Sequence, residues 1–287
     1  MAVSAPASLP SPHELVSSVV NLVSLPEVYL RAKTLLDDPN ASLTAVARVI
    51  AQDPALTARL LRIANSALFG FVARIETVSR AITLLGTQQI HDLLLASAVT
   101  KAFSGIKPAT MDMETFWRHS VYCGVVSRLL AARCNVLDSE RLFVAGLLRD
   151  IGHLILYQKL PALAEQALER SRREGIELFR VERDIMGFDY AQIGTILMQT
   201  WNLPASLQEA VHYHPEPAKA RDFPLETAIV HMASWLVGAN GTADPALDPR
   251  SIHPVAWQHT GLSADDLAAL KQEADQQVAA TVALFLA

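Results

Sequence analysis

The chain reads Phe143-Val-Ala-Gly-Leu-Leu-Arg-Asp-Ile-Gly-His153 near its middle, an apolar run that ends in two adjacent charges. The carboxylate of Asp150 is a group that can ligate a metal ion. The guanidinium of Arg149 cannot do so, because it has no acceptor atom and stays protonated. This pair therefore bears directly on whether the chain can use a metal ion, and so on whether it is an enzyme.

The composition predicts an all-α fold. The chain has 287 residues, of which 51% are hydrophobic and 18% are charged. The hydrophobic share is rich in Ala and Leu, which are strong helix formers, and there are only 12 Gly. The length is sufficient for one large core or two smaller ones.

Charge and hydropathy exclude several classes of protein. The net charge is −5 and no basic block is present, so the electrostatic footprint of a nucleic-acid binder is absent, although weak or single-strand binding stays open. No apolar run approaches the roughly 18 residues of a membrane span, and residues 1–10 lack the features of a secretory signal. Cys123 and Cys134 form no CxxC pair or disulfide framework. We expect a cytoplasmic protein with reduced thiols and no membrane or nucleic-acid partner.

Helix caps and breakers divide the chain into four expected segments. Ser11-Pro12-His13-Glu14 reads as a capping box that opens the first helix, and Gly and Pro within residues 104–108 interrupt the helical pattern. The segments are a disordered tail, an N-terminal helical subdomain, a second helical subdomain, and a loop with a C-terminal helix that packs on the core, over residues 1–10, 11–106, 107–237 and 238–287. The pattern assigns no helix between residues 148 and 160, and a loop to residues 238–254.

Several motifs in a fixed order resemble those of one family. The longest is Asp53-Pro-Ala-Leu-Thr-Ala-Arg-Leu-Leu-Arg-Ile-Ala-Asn-Ser-Ala67. The others are Leu25-Pro26, Ala81 to Gly86, Phe116 to Ser120, Ala145 to Gly152, Gly187 to Gly194, Trp201 to Pro204 and His214 to Pro217. Each is weak alone, but their order over about residues 13–237 resembles the HDOD (HD-related output) domain family.

The resemblance implies a fold and a cellular context. HDOD domains have an N-terminal helical bundle packed on a degenerate HD-type helical core, the HD type being that of a superfamily of metal phosphohydrolases. The family is bacterial and linked to signal transduction, often beside cyclic-dinucleotide or two-component systems. Catalysis has generally not been assigned to it.

The resemblance also places a candidate pocket. In HD enzymes His and Asp side chains from several helices hold one or two cations, which activate a water. Matching ligand types stand at His119, Asp150 and His214, and His153 stands where related phosphodiesterases usually carry a phosphate-contacting Lys. Departures from the ligand pattern stand at Arg149, Tyr190, Pro215 and Ser234. The vestigial pocket is therefore expected to comprise His119, Arg149, Asp150, His153, Tyr190, His214 and Ser234.

These departures argue against a catalytic di-metal centre. A guanidinium beside a divalent cation adds strong like-charge repulsion in a partly dry pocket. We therefore expect no bound metal, no cofactor and no catalytic residue, although three ligands can still hold Zn²⁺ with an open fourth position. The hypothesis for Arg149 is that its guanidinium pairs with Asp150 and takes over the charge-balancing role of the metal. For His119 we expect a buried imidazole that is hydrogen-bonded to Asp150.

Other candidate residues have two interpretations each. Cys123 lies one helical turn after His119, so it is either a packed core residue, which we favour, or part of a Cys-His nucleophile. Asn65 either ties a helix end to a neighbouring loop, which we favour, or lies in a recognition groove. The turn at residues 69–71 is either an exposed aromatic contact or part of the core. Of His212 and His214, we expect one in the pocket and one on the surface.

Three functions follow from this set. The main hypothesis is a non-enzymatic regulatory module that contacts other signalling proteins, with self-association as a homodimer left open. The first alternative is a metal-dependent phosphohydrolase or cyclic-dinucleotide phosphodiesterase using His119, Asp150 and His214. The second is a nucleotide or cyclic-dinucleotide binding protein without catalysis, in which Arg149, His153 and Tyr190 contact phosphate.

Overall fold

A computed structural model of the chain describes residues 9–66, 69, 74–108, 111–238 and 249–286. Within these ranges the structure is helical and contains no strand, which confirms the predicted all-α class. The helices are α1 (Pro12–Ser17), α2 (Glu27–Leu36), α3 (Leu43–Ile50), α4 (Pro54–Ala64), α5 (Val78–Leu85), α6 (Thr87–Ala102), α7 (Met113–Arg133), α8 (Ser139–Leu148), α9 (Ile151–Lys159), α10 (Pro161–Glu174), α11 (Leu178–Met186), α12 (Tyr190–Thr200), α13 (Ala205–Tyr213), α14 (Pro224–Val237), α15 (Pro254–Thr260) and α16 (Ala264–Leu286). Nearly all of the expected tail, residues 1–8, lies outside the described residues.

Side-chain caps begin several of these helices. At α1 the backbone N–H of Ser11 donates to Glu14 Oε2 at 2.7 Å, and the N–H of Glu14 donates to Ser11 Oγ at 3.3 Å, which confirms the capping box. At α4 the carboxylate of Asp53 accepts the N–H of Leu56 at 3.0 Å. Each cap satisfies donors that the helix leaves unpaired and contributes about 1 kcal/mol.

Two helices were missed by the sequence prediction, which was wrong at these places. Residues 151–157 at the start of α9 are all buried, so α9 shows no polar face and gives no amphipathic signal. The other, α15, is only seven residues long and stands between Pro254 and Gly261. Residues 239–248 of the predicted loop lie outside the described residues, and Pro249–Ser251 forms a 3₁₀ turn.

The 21-residue helix α7 packs against α8, α14 and α16. Two glycines allow α7 and α8 to approach closely. A Cβ at Gly124 would lie 2.8 Å from the carbonyl oxygen of Phe143, and a Cβ at Gly146 would lie 2.6 Å from that of Cys123. Side chains at either position would force the two helices apart.

The N-terminal helices form a layer built around α6. This helix is buried over most of its length and contacts α2, α4, α5 and α8, whereas α1 contacts α9 and α12. Asn65 closes α4: its Nδ2 donates to the carbonyl of Ile75 at 2.7 Å, and its Oδ1 accepts the N–H of Ile75 at 2.7 Å. The interpretation of Asn65 as a tie to a neighbouring loop is confirmed. The division into subdomains at residue 106 stays a prediction, because α1 and α6 both contact helices of the second half.

The C-terminal helix α16 lies along α7 and also contacts α4. Its side chains Leu267, Leu270 and Ala274 are buried. In the turn at residues 69–71, Phe69 is partly buried beneath the guanidinium of Arg128, while residues 70–71 lie outside the described residues. No helix in the described part of the chain is long and apolar enough to cross a bilayer.

A second close approach joins α9 to α12. A Cβ on Gly152 would lie only 1.9 Å from the carbonyl oxygen of Tyr190 and 2.7 Å from the backbone nitrogen of Gly194. Both contacts are to backbone atoms, which cannot rotate away as a side chain can. Because α9 starts directly after Asp150 and α12 starts at Tyr190, this crossing holds those two residues in fixed relative positions.

Replacing Gly152 with Ala is predicted to separate α9 from α12 and to lower the free energy of unfolding by about 3 kcal/mol or more. The matched control is Gly105→Ala, because a Cβ at Gly105 meets nothing within 4 Å. Urea denaturation followed by circular dichroism measures both. A Gly152→Ala protein as stable as the control would contradict the described crossing.

Candidate functional site

A cavity of about 600 Å³ lies between α7, α9, α10, α11, α12 and α14. The structure brings all of the predicted pocket residues to its wall: His119, Arg149, Asp150, His153, Tyr190, His214 and Ser234. Pro215, at the fourth departure from the HD ligand pattern, lines the same cavity. Residues up to 115 positions apart in sequence therefore share one site, as the motif order predicts.

Arg149 and Asp150 form an ion pair at the junction of α8 and α9. Nη2 of Arg149 lies 2.8 Å from Oδ2 of Asp150, and Nε donates to Oγ of Ser234 at 3.2 Å. The Arg149 side chain is only 4% exposed and that of Asp150 is 22% exposed. The guanidinium therefore contacts both the surviving carboxylate and the side chain at the last expected ligand position.

The pair keeps both partners charged in spite of burial. Burial acts to lower the pKa of Arg149, but the carboxylate of Asp150, together with smaller contributions from Cys123 and Tyr190, outweighs it and the pKa is raised. Burial likewise acts to raise the pKa of Asp150, but the Arg149 guanidinium, with smaller help from nearby histidines, holds that pKa below its ordinary value. Breaking a pair of this kind leaves a buried charge without compensation, which costs several kcal/mol.

The lone pair of His214 that could ligate a metal is occupied by Tyr190. Nδ1 of His214 lies 2.8 Å from the carbonyl oxygen of Val211, and since a carbonyl only accepts, Nδ1 must carry the proton. Burial lowers the pKa of His214 to about 3, so the imidazole is neutral near pH 7. Its Nε2 then accepts the hydroxyl proton of Tyr190 at 2.9 Å. This contact takes the atom with which a histidine would bind a cation.

Two supporting residues were missed by the sequence reasoning. Glu182 is fully buried, and its Oε2 accepts the N–H of Tyr190 at 2.9 Å. It shares helical spacing with the apolar Phe179 and Met186, a signal that could have revealed a carboxylate on the inner face of α11. His231 donates from Nδ1 to the carbonyl of His214 at 2.7 Å, which fixes the turn that carries His214.

His153 is enclosed by aromatic rings. Its imidazole stacks on Tyr190 with ring centroids 3.9 Å apart and on Tyr157 at 5.2 Å. Nε2 lies 3.2 Å from Oε1 of Glu182 without the alignment of a hydrogen bond. His153 is thus 8% exposed at the cavity wall, with a buried carboxylate behind it.

The other candidate residues, His119, Cys123 and His212, differ in burial and in their contacts. His119 is partly buried at the cavity wall, and its hydrogen bond to Asp150 stays a prediction. Cys123 is completely buried, and burial raises the pKa of its thiol to about 11, so it is a packed neutral residue rather than a nucleophile. The prediction that one of the two neighbouring histidines lies on the surface was wrong: His212 is partly buried and its Nδ1 lies 3.1 Å from Oγ1 of Thr195.

The residues at this site do not fit a metal ion. Among the described ranges no group of three or more His, Cys, Asp or Glu side chains is arranged to hold one. The Asp150 carboxylate is engaged by Arg149, and Nε2 of His214 is engaged by Tyr190. A metal ion could bind Asp150 and His214 here only after it displaced the guanidinium of Arg149 and the hydroxyl of Tyr190.

Comparison with known proteins identifies the family. The model of the HDOD domain matches residues 22–217, which is more than half of the chain. The chain belongs to the HDOD domain family. A protein of Treponema pallidum (strain Nichols) whose function is uncharacterised is 23% identical to this HDOD protein over 198 residues, 68% of this chain and 37% of the relative. The match thus spans well under half of that relative's length.

Solved structures share the HDOD fold over nearly the whole chain. A candidate phosphohydrolase from Shewanella amazonensis SB2B is 26% identical, with a TM-score of 0.73 and coverage of 94% of this chain and 97% of that one. An HDOD domain protein of unknown function from Geobacter sulfurreducens is 24% identical, with a TM-score of 0.73 and coverage of 96% and 99%. These similarities confirm the HD-related helical architecture.

A double-mutant cycle on Arg149 and Asp150 is predicted to show strong coupling. Arg149→Met and Asp150→Asn should each lower the free energy of unfolding by about 3 kcal/mol, because each leaves one buried charge unpaired. The double variant should cost about 2 kcal/mol less than the sum of the two single changes.

Denaturant titrations at pH 7 measure the cycle, and Arg31→Met, at an exposed position on α2, serves as the control with an effect of about 0.5 kcal/mol or less. Additive effects in the cycle would mean that the two charges do not stabilise each other.

Proposed function

We propose that this HDOD protein is a non-catalytic regulatory module of bacterial signal transduction that acts in the cytoplasm through contacts with other proteins. The observation that carries the proposal is the 2.8 Å pair between Arg149 and Asp150. The pair supplies a permanent cation from the chain itself, at a position where the resemblance leads one to expect a metal-ligating side chain. The family's link to signalling, and the general lack of assigned catalysis in it, support action through protein contacts.

The chemistry of the cavity supports the absence of catalysis. A hydrolase needs a group that activates water near the operating pH. His214 is neutral and hydrogen-bonded at both ring nitrogens, and the hydroxyl of Tyr190 has a pKa raised well above its ordinary value by burial. Asp150 is held ionised by Arg149. Each of these groups is stabilised in one protonation state, which suits a structural network better than proton transfer.

A metal-dependent phosphohydrolase or cyclic-dinucleotide phosphodiesterase is the first alternative. The name given to the Shewanella protein favours it, and His119, Asp150 and His214 would be its residual ligands. The donor set counts against it, because Arg149 engages the carboxylate of Asp150 and Tyr190 engages Nε2 of His214.

Ligand binding without catalysis is the second alternative, and one observation favours it. The cavity of about 600 Å³ falls within the roughly 300–1,000 Å³ of small-molecule sites. Its wall includes the rings of Phe116, Tyr157, Phe179 and Trp235, beside the cations Arg149 and Arg172. Rings and cations together are the groups that hold a base and a phosphate.

The proposal predicts that the protein does not hydrolyse phosphodiesters. Bis(p-nitrophenyl) phosphate and cyclic dinucleotides are incubated with the protein in the presence of Mn²⁺, Fe²⁺ or Zn²⁺, beside Asp150→Ala and His119→Ala variants. The three proteins should give the same background rate, because no metal-bound hydroxide forms at this site.

Turnover that requires the metal and disappears in both variants would replace the proposal with the hydrolase alternative. A rise in melting temperature with an unhydrolysed nucleotide would instead favour the ligand-binding alternative, since a ligand that binds only the folded state stabilises it by mass action.

A further inference from the structure

Helices α10 and α11 form a hairpin that makes part of the wall of the cavity. The turn between them is at Gly175, whose φ of 65° is in the left-handed region, and residues 172–177 are all exposed. Residues of the hairpin that line the cavity are Leu168, Arg172, Glu177, Leu178 and Phe179. They stand on both sides of the turn, so the turn end of the hairpin borders the candidate functional site. We call residues 161–186 the α10–α11 hairpin.

The polar contacts of residues 161–180 stay inside the α10–α11 hairpin. Ser171 Oγ donates to the carbonyl of Ile176 at 2.6 Å, and Arg170 pairs with Asp184 across the two helices. In the described part of the chain, residues 161–180 form no side-chain hydrogen bond or ion pair with a residue outside the hairpin. The two helices are therefore cross-linked to each other rather than to the body of the protein.

The polar ties from the hairpin to the rest of the described chain lie near the end of α11. Oε2 of Glu182 accepts the N–H of Tyr190 at 2.9 Å. Nε of Arg183 donates to Oδ2 of Asp189 at 2.6 Å, and its Nη1 pairs with Glu216. These contacts anchor α11 to the start of α12 and to the turn that follows His214, whereas α10 has no comparable anchor among the described residues.

The apolar packing of α10 is also slight. Of its 14 residues, only Ala164 and Ala167 are buried, and a methyl group buries little apolar area. Ala164 belongs to the continuous core of the chain. Ala167 and Val181 are buried outside that core, as expected for residues between α10 and α11. The larger buried side chains of the hairpin, such as Phe179, belong to α11. Few buried contacts hold α10 in place, which is typical of elements that move at low cost.

The position of the hairpin decides how much of the cavity wall is covered. Leu168 and Leu178 are partly buried, and so are Met111 and Trp235, which line the same cavity from outside the hairpin. Movement of the hairpin towards these residues buries apolar surface, and movement away from them opens the cavity. The contents of the cavity can therefore act on the hairpin.

From the internal cross-links, the one-sided anchors and the cavity-lining face, we propose that the α10–α11 hairpin is a lid. It moves as one body about the anchored helix α11 and controls access to the cavity. Pro161 begins the hairpin and Gly187, with φ 83°, ends it, and hinges commonly lie at such ends of secondary elements. The inference rests on the proposed function, because a lid gives the regulatory module two states that a partner can distinguish.

Thiol labelling of the full chain tests the lid. The background variant is Cys134→Ser, which keeps the completely buried Cys123 as a reference that reacts only when the core unfolds. Ala164→Cys and Ala167→Cys are added to it separately. Each protein is treated with N-ethylmaleimide under native conditions, and mass spectrometry of peptides gives the rate at each thiol. Circular dichroism confirms that both variants are folded.

The lid predicts different rates at the two positions. The thiol introduced by Ala164→Cys should react about 100-fold faster than Cys123, because α10 lifts away from the core while the core stays folded. The thiol introduced by Ala167→Cys should react nearly as slowly as Cys123, because it lies between two helices that move together. Local unfolding of the hairpin would instead expose both positions equally.

Matched arginine variants of the Ala164→Cys protein test the anchor. The guanidinium groups of Arg180 and Arg183 both lie over the ring of Phe179, at 5.1 and 5.0 Å, but in the described part of the chain only Arg183 pairs outside the hairpin. Arg183→Met should speed labelling by about tenfold, and Arg180→Met should leave the rate within about twofold. Glu216→Gln removes one of the two carboxylates paired with Arg183 and should give a smaller increase.

Three results would overturn the inference: a thiol at position 164 that reacts as slowly as Cys123, equal rates at positions 164 and 167, or equal acceleration by Arg180→Met and Arg183→Met. The first means that the hairpin is fixed, the second that it unfolds locally, and the third that Arg183 is not its anchor. The result is independent of the hydrolysis assay. A fixed hairpin removes the lid and leaves the non-catalytic function standing, whereas metal-dependent turnover removes the non-catalytic function and leaves the labelling rates unchanged.

Discussion

The ion pair between Arg149 and Asp150 is the interaction on which the arrangement of the site depends. It lies at the junction of α8 and α9, nearly excluded from water on the Arg149 side, and it also reaches Ser234 on α14. The hydroxyl of Tyr190 acts in parallel by donating to His214. Together these contacts do what a metal ion does in an HD enzyme. Arg149 supplies positive charge to the carboxylate of Asp150, and the hydroxyl of Tyr190 occupies the lone pair of His214. Two of the surviving ligand-type residues, Asp150 and His214, therefore already have partners from the same chain.

The backbone holds these partners in place. Gly152 lets α9 approach α12 until the space that a Cβ would need is filled by the carbonyl of Tyr190. Glu182 binds the N–H of Tyr190 from the other side, and His231 holds the carbonyl of His214. Because these contacts come from different helices, the network depends on tertiary packing throughout the second half of the chain.

Much of the fold and of the candidate site could be predicted, because composition and the order of the motifs can be read directly from the sequence. They gave the all-α class, the family, the capping box at Ser11, the tie at Asn65 and the set of residues that lines the cavity. Other features could not be predicted in this way. The helix α9 is buried on every side and shows no periodic polar face. The roles of Glu182 and His231 arise from helices far apart in sequence that meet only in the folded chain.

The central claim is that Arg149 and Tyr190 take the place of a metal ion. The most direct test is elemental analysis of the purified, tag-free protein after reconstitution with Zn²⁺, Mn²⁺ and Fe²⁺, beside the double variant Arg149→His with Tyr190→His. The account predicts metal well below one equivalent in the wild-type protein. It predicts about one equivalent in the double variant, which frees Asp150 and His214 and adds two imidazole ligands. Tightly bound stoichiometric metal in the wild-type protein, or equally low metal in both proteins, would contradict it.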